Sequence, residues 1–252
     1  MKKFTLILLS VFMTTFLMAQ TPEGGSVTAG NYGSQAGVLY AQMNPVDTIP
    51  VVASQQFTDF SNSIAQTADD FIIPIGKTWS VTSIATIGSY FTGSTGPATS
   101  FTVQIFADMS GLPAATPMFE QTGLTYSVTG NRFDIPLTST IQLNAGHYWI
   151  SIVAVMPYNT NGQWGSAWNN APQANYVFAD RDPDQLFGGA WPATWGQSSS
   201  YSAWAGRANY DLCFEITGDE STAAVPVSNW AILLGVLLIG TFVVIRYRRS
   251  IA

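Results

Sequence analysis

Between residues 51 and 218, apolar and polar positions mostly alternate, which is typical of β-strands with one buried face. The segment FTVQIFAD, for example, places Phe101 and Val103 on one side and Thr102 on the other. The segment HYWISIVAV is apolar on both sides and predicts a central strand that is covered on both faces. Gly, Pro and Asn separate many further short runs of this kind, so the pattern predicts an all-β protein.

The same pattern sets the domain boundaries. Residues 51–218 are interpreted as one jelly-roll-like β-sandwich, and residues 20–50 as an arm that contributes a peripheral strand. A polar linker with a proline motif follows at 219–229. It leads into an apolar segment at 230–247 and a basic end at 248–252.

The start of the chain has the three parts of a secretory signal. Lys2 and Lys3 are followed by an apolar stretch that runs to Met18, and Ala19 is a small residue at the position of a cleavage site. This order predicts a signal peptide at residues 1–19 and an exported protein. An uncleaved N-terminal anchor is the alternative.

The end of the chain predicts a membrane segment. Residues 230–245 carry no charge, and a spanning helix needs about 20 apolar residues. The predicted span is therefore extended to 230–247, with the C-terminus inside the cell. Arginines at the end of the span should stay cytoplasmic because guanidinium groups cross hydrocarbon at high cost: Arg246, Arg248 and Arg249. A buried helix of a soluble protein is the alternative.

This tail resembles the PEP-CTERM-type sorting tails of bacterial surface proteins, in particular variants whose motif reads IPTLSEW or similar. It shares their order of a short proline motif, a brief hydrophobic helix and an arginine cluster. The motif positions are Val225, Pro226, Val227, Ser228, Asn229 and Trp230, followed by Arg246, Arg248 and Arg249. The resemblance implies processing by an exosortase-like membrane enzyme and a final place on the cell surface or in the extracellular matrix.

The body has a second resemblance. The segments ADDF, TWSV, FTVQIFADMSGLP and LNAGHYWISI, in this order, resemble a β-sandwich family of exported bacterial proteins that carry varying C-terminal anchors. The likeness spans roughly residues 39–218. It implies an extracellular jelly-roll-like module with no assigned catalytic residues.

Charge and cysteine content exclude several classes of function. The net charge is −6, and residues 20–224 hold four bases against fifteen acids, a formal charge of −11. A surface this acidic repels phosphate backbones, so nucleic-acid binding is not expected. Cys213 is the only cysteine, which excludes an intramolecular disulfide. It is interpreted as structural filler on the strand face opposite Leu212, with a reactive thiol as the alternative.

Signatures of catalysis are missing from the chain. His147 is the only histidine, and neither a G-x-S-x-G elbow nor an H-E-x-x-H motif occurs. A strand-end histidine without a catalytic role is the preferred interpretation. A pair of carboxylates that cleaves a glycoside stays open as an alternative.

Two sets of residues are candidates for binding. Alternate carboxylates in ADRDPDQLFGG could converge on Ca²⁺, which takes 6–8 oxygen ligands: Asp180, Asp182 and Asp184. A solvated acidic loop is the alternative. Asp69 and Asp70 are a weaker candidate, because neighbours in a strand point to opposite faces.

The second set is aromatic. A long stretch rich in Gly, Asn and Ser carries tryptophans that could stack on neutral polysaccharide: Trp164, Trp168, Trp191 and Trp195. The alternative is that these rings cap an open end of the sandwich. A connection this long is usually functional or contains unrecognised strands.

Together these features predict an exported, non-enzymatic surface or matrix protein with a structural or adhesive role. No cofactor is expected apart from Ca²⁺. The alternative is a carbohydrate-binding or carbohydrate-active extracellular protein.

Overall fold

The computed structural model describes residues 23–24, 27, 37–46, 51–92, 96–169, 176–200, 210–222 and 229–250. The predicted signal peptide at 1–19, most of the predicted arm at 20–50 and motif positions 225–228 lie outside the described residues. Strands dominate the described part, and the all-β prediction is confirmed.

The strands, numbered in chain order, are β1 (Glu23–Gly24), β2 (Val38–Gln42), β3 (Val51–Ala53), β4 (Gln55–Phe57), β5 (Ser63–Phe91), β6 (Ser100–Ala107), β7 (Phe119–Leu124), β8 (Ser127–Thr129), β9 (Arg132–Met156), β10 (Gln163–Ser166), β11 (Trp168–Asn169), β12 (Ala179–Arg181), β13 (Gly196–Gln197), β14 (Asp211–Leu212) and β15 (Phe214–Thr222). The described helices are α1 (Tyr158–Asn161), a 3₁₀ helix (Ser198–Ser200) and α2 (Asn229–Ser250).

The chain divides into two compact units, Met1–Ser221 and Thr222–Ala252. The predicted linker at 219–229 begins instead as strand, because β15 continues past residue 218. Glu220 anchors this extension, since its carboxylate accepts a hydrogen bond from Trp79 Nε1 at 3.1 Å.

A long ribbon of β5 and β9 organises the first unit. The two strands pair antiparallel from Asp69 opposite Ile150 to Ile87 opposite Arg132. The register shifts beside Gly76, whose φ of +81° is a conformation that glycine adopts without strain. Irregularities of this kind bend a strand. Side chains from both halves of the ribbon therefore reach the same hydrophobic core.

The other strands extend the sheet on both sides of this ribbon. β6 pairs with β9 on one side and with β7 on the other. β4 runs parallel to β9 and also pairs with the start of β5. β12 pairs with β5, and β10 pairs with both β5 and β3.

Two large clusters of buried side chains hold this unit together. The main core lies on one face of β5, β6 and β9 and includes Phe71, Trp79, Phe101, Phe133, Ile150 and Phe214. The second core joins β3 to the segments around β11 and β14 and includes Val52, Phe57, Trp168, Phe178, Trp191 and Leu212. Burying apolar area at about 25 cal/mol per Å² makes clusters of this size the main source of stability.

The second unit contains α2. This helix starts one residue before the predicted span at 230–247 and ends three residues after it. Within the described ranges, no helix combines the length and the hydrophobicity needed to cross a bilayer. The membrane segment stays a prediction.

Candidate functional site

A mixed polar and aromatic surface lies on the side of the sheet opposite the main core. Because successive side chains of a strand point to opposite faces, residues that alternate with core residues share this side. Strand pairing places Arg181 beside Gln66, Asp70 beside Trp149, and Gln104 beside Glu120. We call this surface the far face and define it by Gln66, Ala68, Asp70, Gln104, Phe106, Asp108, Glu120, His147, Trp149, Ser151, Ala179 and Arg181.

Residues 176–197 cover part of the far face. The ring of Trp195 packs edge-on against Phe106, with 5.4 Å between the ring centroids. Tyr176 lies parallel to His147 at 5.5 Å and covers Trp149 at 6.2 Å. Phe106 and Trp149, at the centre of the far face, are fully buried, whereas His147 and Arg181, at its two polar ends, are partly exposed.

His147 forms one polar end. Its Nε2 lies 2.5 Å from Asp70 Oδ2, and its Nδ1 lies 3.8 Å from Asp108 Oδ1. The side chain of Asp70 is fully buried, whereas 19% of the His147 side chain is exposed. Asp108 is held in turn by a hydrogen bond from Trp149 Nε1 at 2.9 Å. The imidazole is thus fixed between two carboxylates under the ring of Tyr176.

This arrangement orients a histidine, and nucleophilic catalysis would also require a hydroxyl or thiol beside it. A histidine base activates a hydroxyl or thiol within hydrogen-bond reach. In the part of the chain that the structure describes, no Ser, Thr or Cys side chain forms a hydrogen bond with His147. The contacts of the ring are those of a side chain that fixes the strand end and its cover.

Arg181 forms the other polar end. Its Nε and Nη2 donate to Gln66 Oε1 at 3.1 and 2.9 Å, and its Nη1 donates to the carbonyl of Ala115 at 3.3 Å. The guanidinium carbon lies 4.4 Å from the Trp195 ring centroid and 5.8 Å from that of Phe106. Burial lowers the pKa of Arg181.

Asp69 and Asp70 face opposite sides of β5, as predicted for neighbours in a strand. Asp69 Oδ2 accepts hydrogen bonds from Leu212 N at 2.6 Å and Gln42 Nε2 at 2.7 Å. Burial, followed by the nearby charge of Asp211, raises the pKa of Asp69 well above its usual range. Only one of the two adjacent carboxylates therefore belongs to the far face.

The interior beside Asp69 offers no room for a ligand. The cavity there measures about 10 Å³ and is lined by Thr67, Thr86 and Cys213, among others. A space of this size matches one water molecule at most.

The convergence predicted for Asp180, Asp182 and Asp184 is wrong. Asp180 is buried in β12 opposite Thr67. Asp184 Oδ2 accepts a hydrogen bond from Ile64 N at 3.0 Å.

Asp182 turns its two oxygens to the backbone N–H groups of Leu186 and Phe187, at 2.9 and 2.8 Å. Among the described residues, no group of three or more acidic, His or Cys side chains could hold a metal ion. The backbone turn takes up oxygens that a cation would need.

The prediction that four tryptophans stack on a glycan is also wrong, because stacking requires exposed rings. The exposed fraction is 0% for Trp164, 1% for Trp168 and Trp191, and 8% for Trp195. The described part of the stretch that carries them contains strands β10 to β13, with Trp164 in β10 and Trp168 in β11. The rings therefore pack inside the body.

Cys213 is buried, and its thiol lies 3.5 Å from the Trp168 carbonyl that accepts its hydrogen bond. Burial, and then the charge of Asp69, raises the pKa of Cys213, which disfavours a reactive thiolate. The prediction that Leu212 and Cys213 lie on opposite faces is wrong. The strand is interrupted between β14 and β15, and both side chains join the second core.

The sequence reasoning missed Arg181, Tyr176 and the glutamines of the far face. The spacing of Gln66 and Asp70 was a usable signal, since residues separated by an even number of positions in a strand share a face. The partners of Gln66 come from β6, β9 and β12, and single-sequence patterns do not pair such distant segments.

No protein-family model matches the chain, and no curated protein matches it. Two solved structures are similar to part of it. One is the crystal structure of the cysteine protease and lectin-like domains of Cwp84, a surface layer associated protein of Clostridium difficile, with 11% identity over 64% of this chain and 32% of that one and a TM-score of 0.41. The other is the clostridial cysteine protease Cwp84 after propeptide cleavage, with 11% identity over 64% and 36% of the two chains and a TM-score of 0.40. The chain spans about a third of the length of either structure, and so distant a likeness carries no functional argument.

Proposed function

We propose that this protein is an exported, non-enzymatic β-sandwich module that serves a structural or adhesive role at the cell surface or in the extracellular matrix. The observation that carries the proposal is the commitment of its reactive side chains to internal contacts. Asp182 satisfies a backbone turn, Asp69 holds β2 to β14, and His147 is clamped between two carboxylates. Side chains that are used in this way stabilise the fold, which favours a structural role over catalysis.

A jelly-roll-like arrangement of the strands is part of this proposal. In its support, the register of the β5–β9 ribbon shifts beside Gly76, an irregularity of the kind that bends a strand, and residues from both of its halves pack in the main core. Examples are Phe71 and Val81 from β5, and Ile141 and Ile150 from β9. A bent ribbon of this kind suits a sandwich whose two layers share the same long strands.

Delivery by a PEP-CTERM-like sorting tail is the second part. It rests on the order of the proline motif, the apolar run and the arginines, and on a helix that begins at Asn229 within the motif. The described apolar side chains of α2 are exposed, including Leu233, Leu237 and Phe242. A membrane-embedded exosortase-like enzyme is the proposed partner before processing.

The location of the mature C-terminus tests this proposal. In cells that contain the processing enzyme, mass spectrometry should find the mature chain ending near Pro226, and protease treatment of intact cells should release fragments of the body. The Pro226→Ala variant should retain the tail, whereas Thr116→Ala, an exposed change in the body, should be processed normally. A native species that ends at Ala252 would contradict delivery by such a tail.

A further inference from the structure

The three bases of the body whose side chains are described differ in how their charge is balanced. Lys77 pairs with Glu220 at 2.5 Å, and Arg132 pairs with Glu215 at 2.7 Å and with Asp134. Arg181 forms no ion pair with any acid in the described ranges. In a chain with fifteen acids, a partly buried guanidinium without a carboxylate partner is unexpected.

Arg181 is also held in a fixed orientation. Gln66 receives two of its N–H groups and is itself anchored, because its Nε2 donates to Gln104 Oε1 and Ser151 Oγ, both at 3.0 Å. The guanidinium carbon also lies over the ring of Trp195. A guanidinium that is already ordered loses little freedom when it binds a ligand.

Two donors of Arg181 take no part in the hydrogen bonds of the described residues, and the side chain is partly exposed. A guanidinium has five N–H donors, and three of those of Arg181 are used within the described residues. The remaining two match a carboxylate, which a planar guanidinium binds with charge-assisted hydrogen bonds. The lowered pKa of Arg181 that burial causes agrees with a cation whose solvation is incomplete.

The residues next to Arg181 on the far face limit the class of ligand that it can bind. Along the far face, Gln66 leads to Gln104, whose Nε2 donates to Glu120 at 2.5 Å. The row thus has a cation at one end and an exposed carboxylate at the other. The carboxylate can accept hydrogen bonds from hydroxyl groups but repels a second anion, and the net charge of −6 disfavours polyanions.

We infer that Arg181, framed by Gln66 and Trp195, binds the single carboxylate of a hydroxyl-bearing ligand, namely a uronic acid residue of an otherwise neutral glycan. Of the four tryptophans that the sequence predicted to bind glycans, only Trp195 contributes to this site, because its ring lies under the guanidinium. Ligand binding at Arg181 does not depend on how the tail is processed. The proposed site and the proposed sorting tail can therefore be disproved separately.

Titration with D-glucuronate tests the site in the native protein. The side-chain Nε–Hε signal of Arg181 should shift in NMR spectra, and D-glucose, which lacks the carboxylate, should leave it unchanged. The Arg181→Lys and Arg181→Gln variants should bind glucuronate roughly tenfold more weakly or worse, since lysine lacks the planar pair of donors and glutamine lacks the charge. The Lys77→Gln variant, which removes an exposed ion-paired base, should bind as the native protein does.

Melting curves of each variant show whether it is folded, and the NMR shift of the native protein needs no variant. Unchanged binding by a folded Arg181→Gln protein would overturn the inference, and so would a glucuronate titration that leaves the Arg181 signal in place. A glutamate-rich peptide that binds more tightly than glucuronate would reassign the site to an acidic protein partner. Acetate binding as tightly as glucuronate would remove the role of the hydroxyl groups.

Discussion

The fold buries the side chain of Asp69, and the exposed fraction of this residue is only 1%. Three donors point at it: the backbone N–H groups of Asp70 and Leu212 and the side-chain amide of Gln42. These hydrogen bonds favour the charged form, yet burial and the neighbouring Asp211 outweigh them and raise the pKa of Asp69. Burial together with a neighbouring charge thus explains the perturbed carboxyl.

The raised pKa of Asp69 predicts how stability depends on pH. The native state binds this proton more tightly than the unfolded chain, whose Asp pKa is about 3.9. The contribution of Asp69 is therefore fully present below about pH 4 and is lost as the pH rises through its folded pKa. The loss should approach about 1.4 kcal/mol per pH unit within this window. Denaturant unfolding of the native protein and of Asp69→Asn between pH 4 and 8 should show the native protein losing stability relative to the variant.

A second variant separates the two causes of this pKa shift. Asp211→Asn removes the neighbouring charge while Asp69 stays buried, so the pH-dependent loss should shrink without disappearing. A difference in unfolding free energy between native protein and Asp69→Asn that stays constant with pH would show that Asp69 has an ordinary pKa.

Strand β10 shows how an element can be hidden in a stretch that reads as loop. Its Gly165 packs so close to β3 that a Cβ atom would lie 2.5 Å from the Val52 carbonyl oxygen. On β5, a Cβ atom at Gly88 would lie 2.5 Å from a ring carbon of Trp164. Gly165, which looked like loop composition, and Gly88 of β5 are thus the residues that let β10 pair between β3 and β5.

Burial of Trp164 predicts the response to its removal. Its ring packs edge-on against Phe101 at 5.1 Å and Phe133 at 5.5 Å in the main core. Trp164→Ala should lower the free energy of unfolding by about 3–5 kcal/mol, as large-to-small core changes do. Met109→Ala, at a residue that is 64% exposed, should change it by less than about 0.5 kcal/mol. A folded Trp164→Ala protein of native stability that no longer binds a neutral glycan would restore the glycan interpretation.

At the scale of the molecule, the many acids do not form a group that could hold calcium within the described residues. Several of the fifteen acids are used inside the body, as N–H acceptors or as ion-pair partners of bases. Glu215 is an example, since its fully buried carboxylate meets Arg132 Nη2 at 2.7 Å. The charge count of the sequence therefore overstates the number of oxygens that a cation could collect.

This arrangement predicts that calcium leaves the stability of the protein unchanged. A site filled at a hundredfold excess over Kd would add about 2.7 kcal/mol, which raises Tm by roughly 5–10 °C in a chain of this size. Thermal melts in millimolar Ca²⁺ and in EDTA should instead coincide. Asp182→Ala should lower Tm equally in both solutions, because it removes the acceptor of two backbone N–H groups. A rise in Tm with calcium that Asp182→Ala abolishes would show that the predicted site exists.

Local patterns were sufficient for the all-β class, for the opposed directions of Asp69 and Asp70, for strand β6 and for the final part of β9 (residues 147–155). Each depends on the alternation of side chains along one strand, which is a property of consecutive residues. The same reasoning placed the tryptophans on a loop and the three aspartates around a cation. Those two predictions depended on which distant residues lie beside them.

Periodicity and composition are enough to establish that this chain forms strands with one or two buried faces, because both act through local geometry. They do not establish that Trp164 is core, that Asp182 satisfies a turn, or that Arg181 lies beside Gln66 with no carboxylate partner in the described ranges. Burial and charge balance at such residues depend on neighbours that are distant in the sequence, which for Arg181 and Gln66 come from β5, β6 and β9. Only folding brings those segments together.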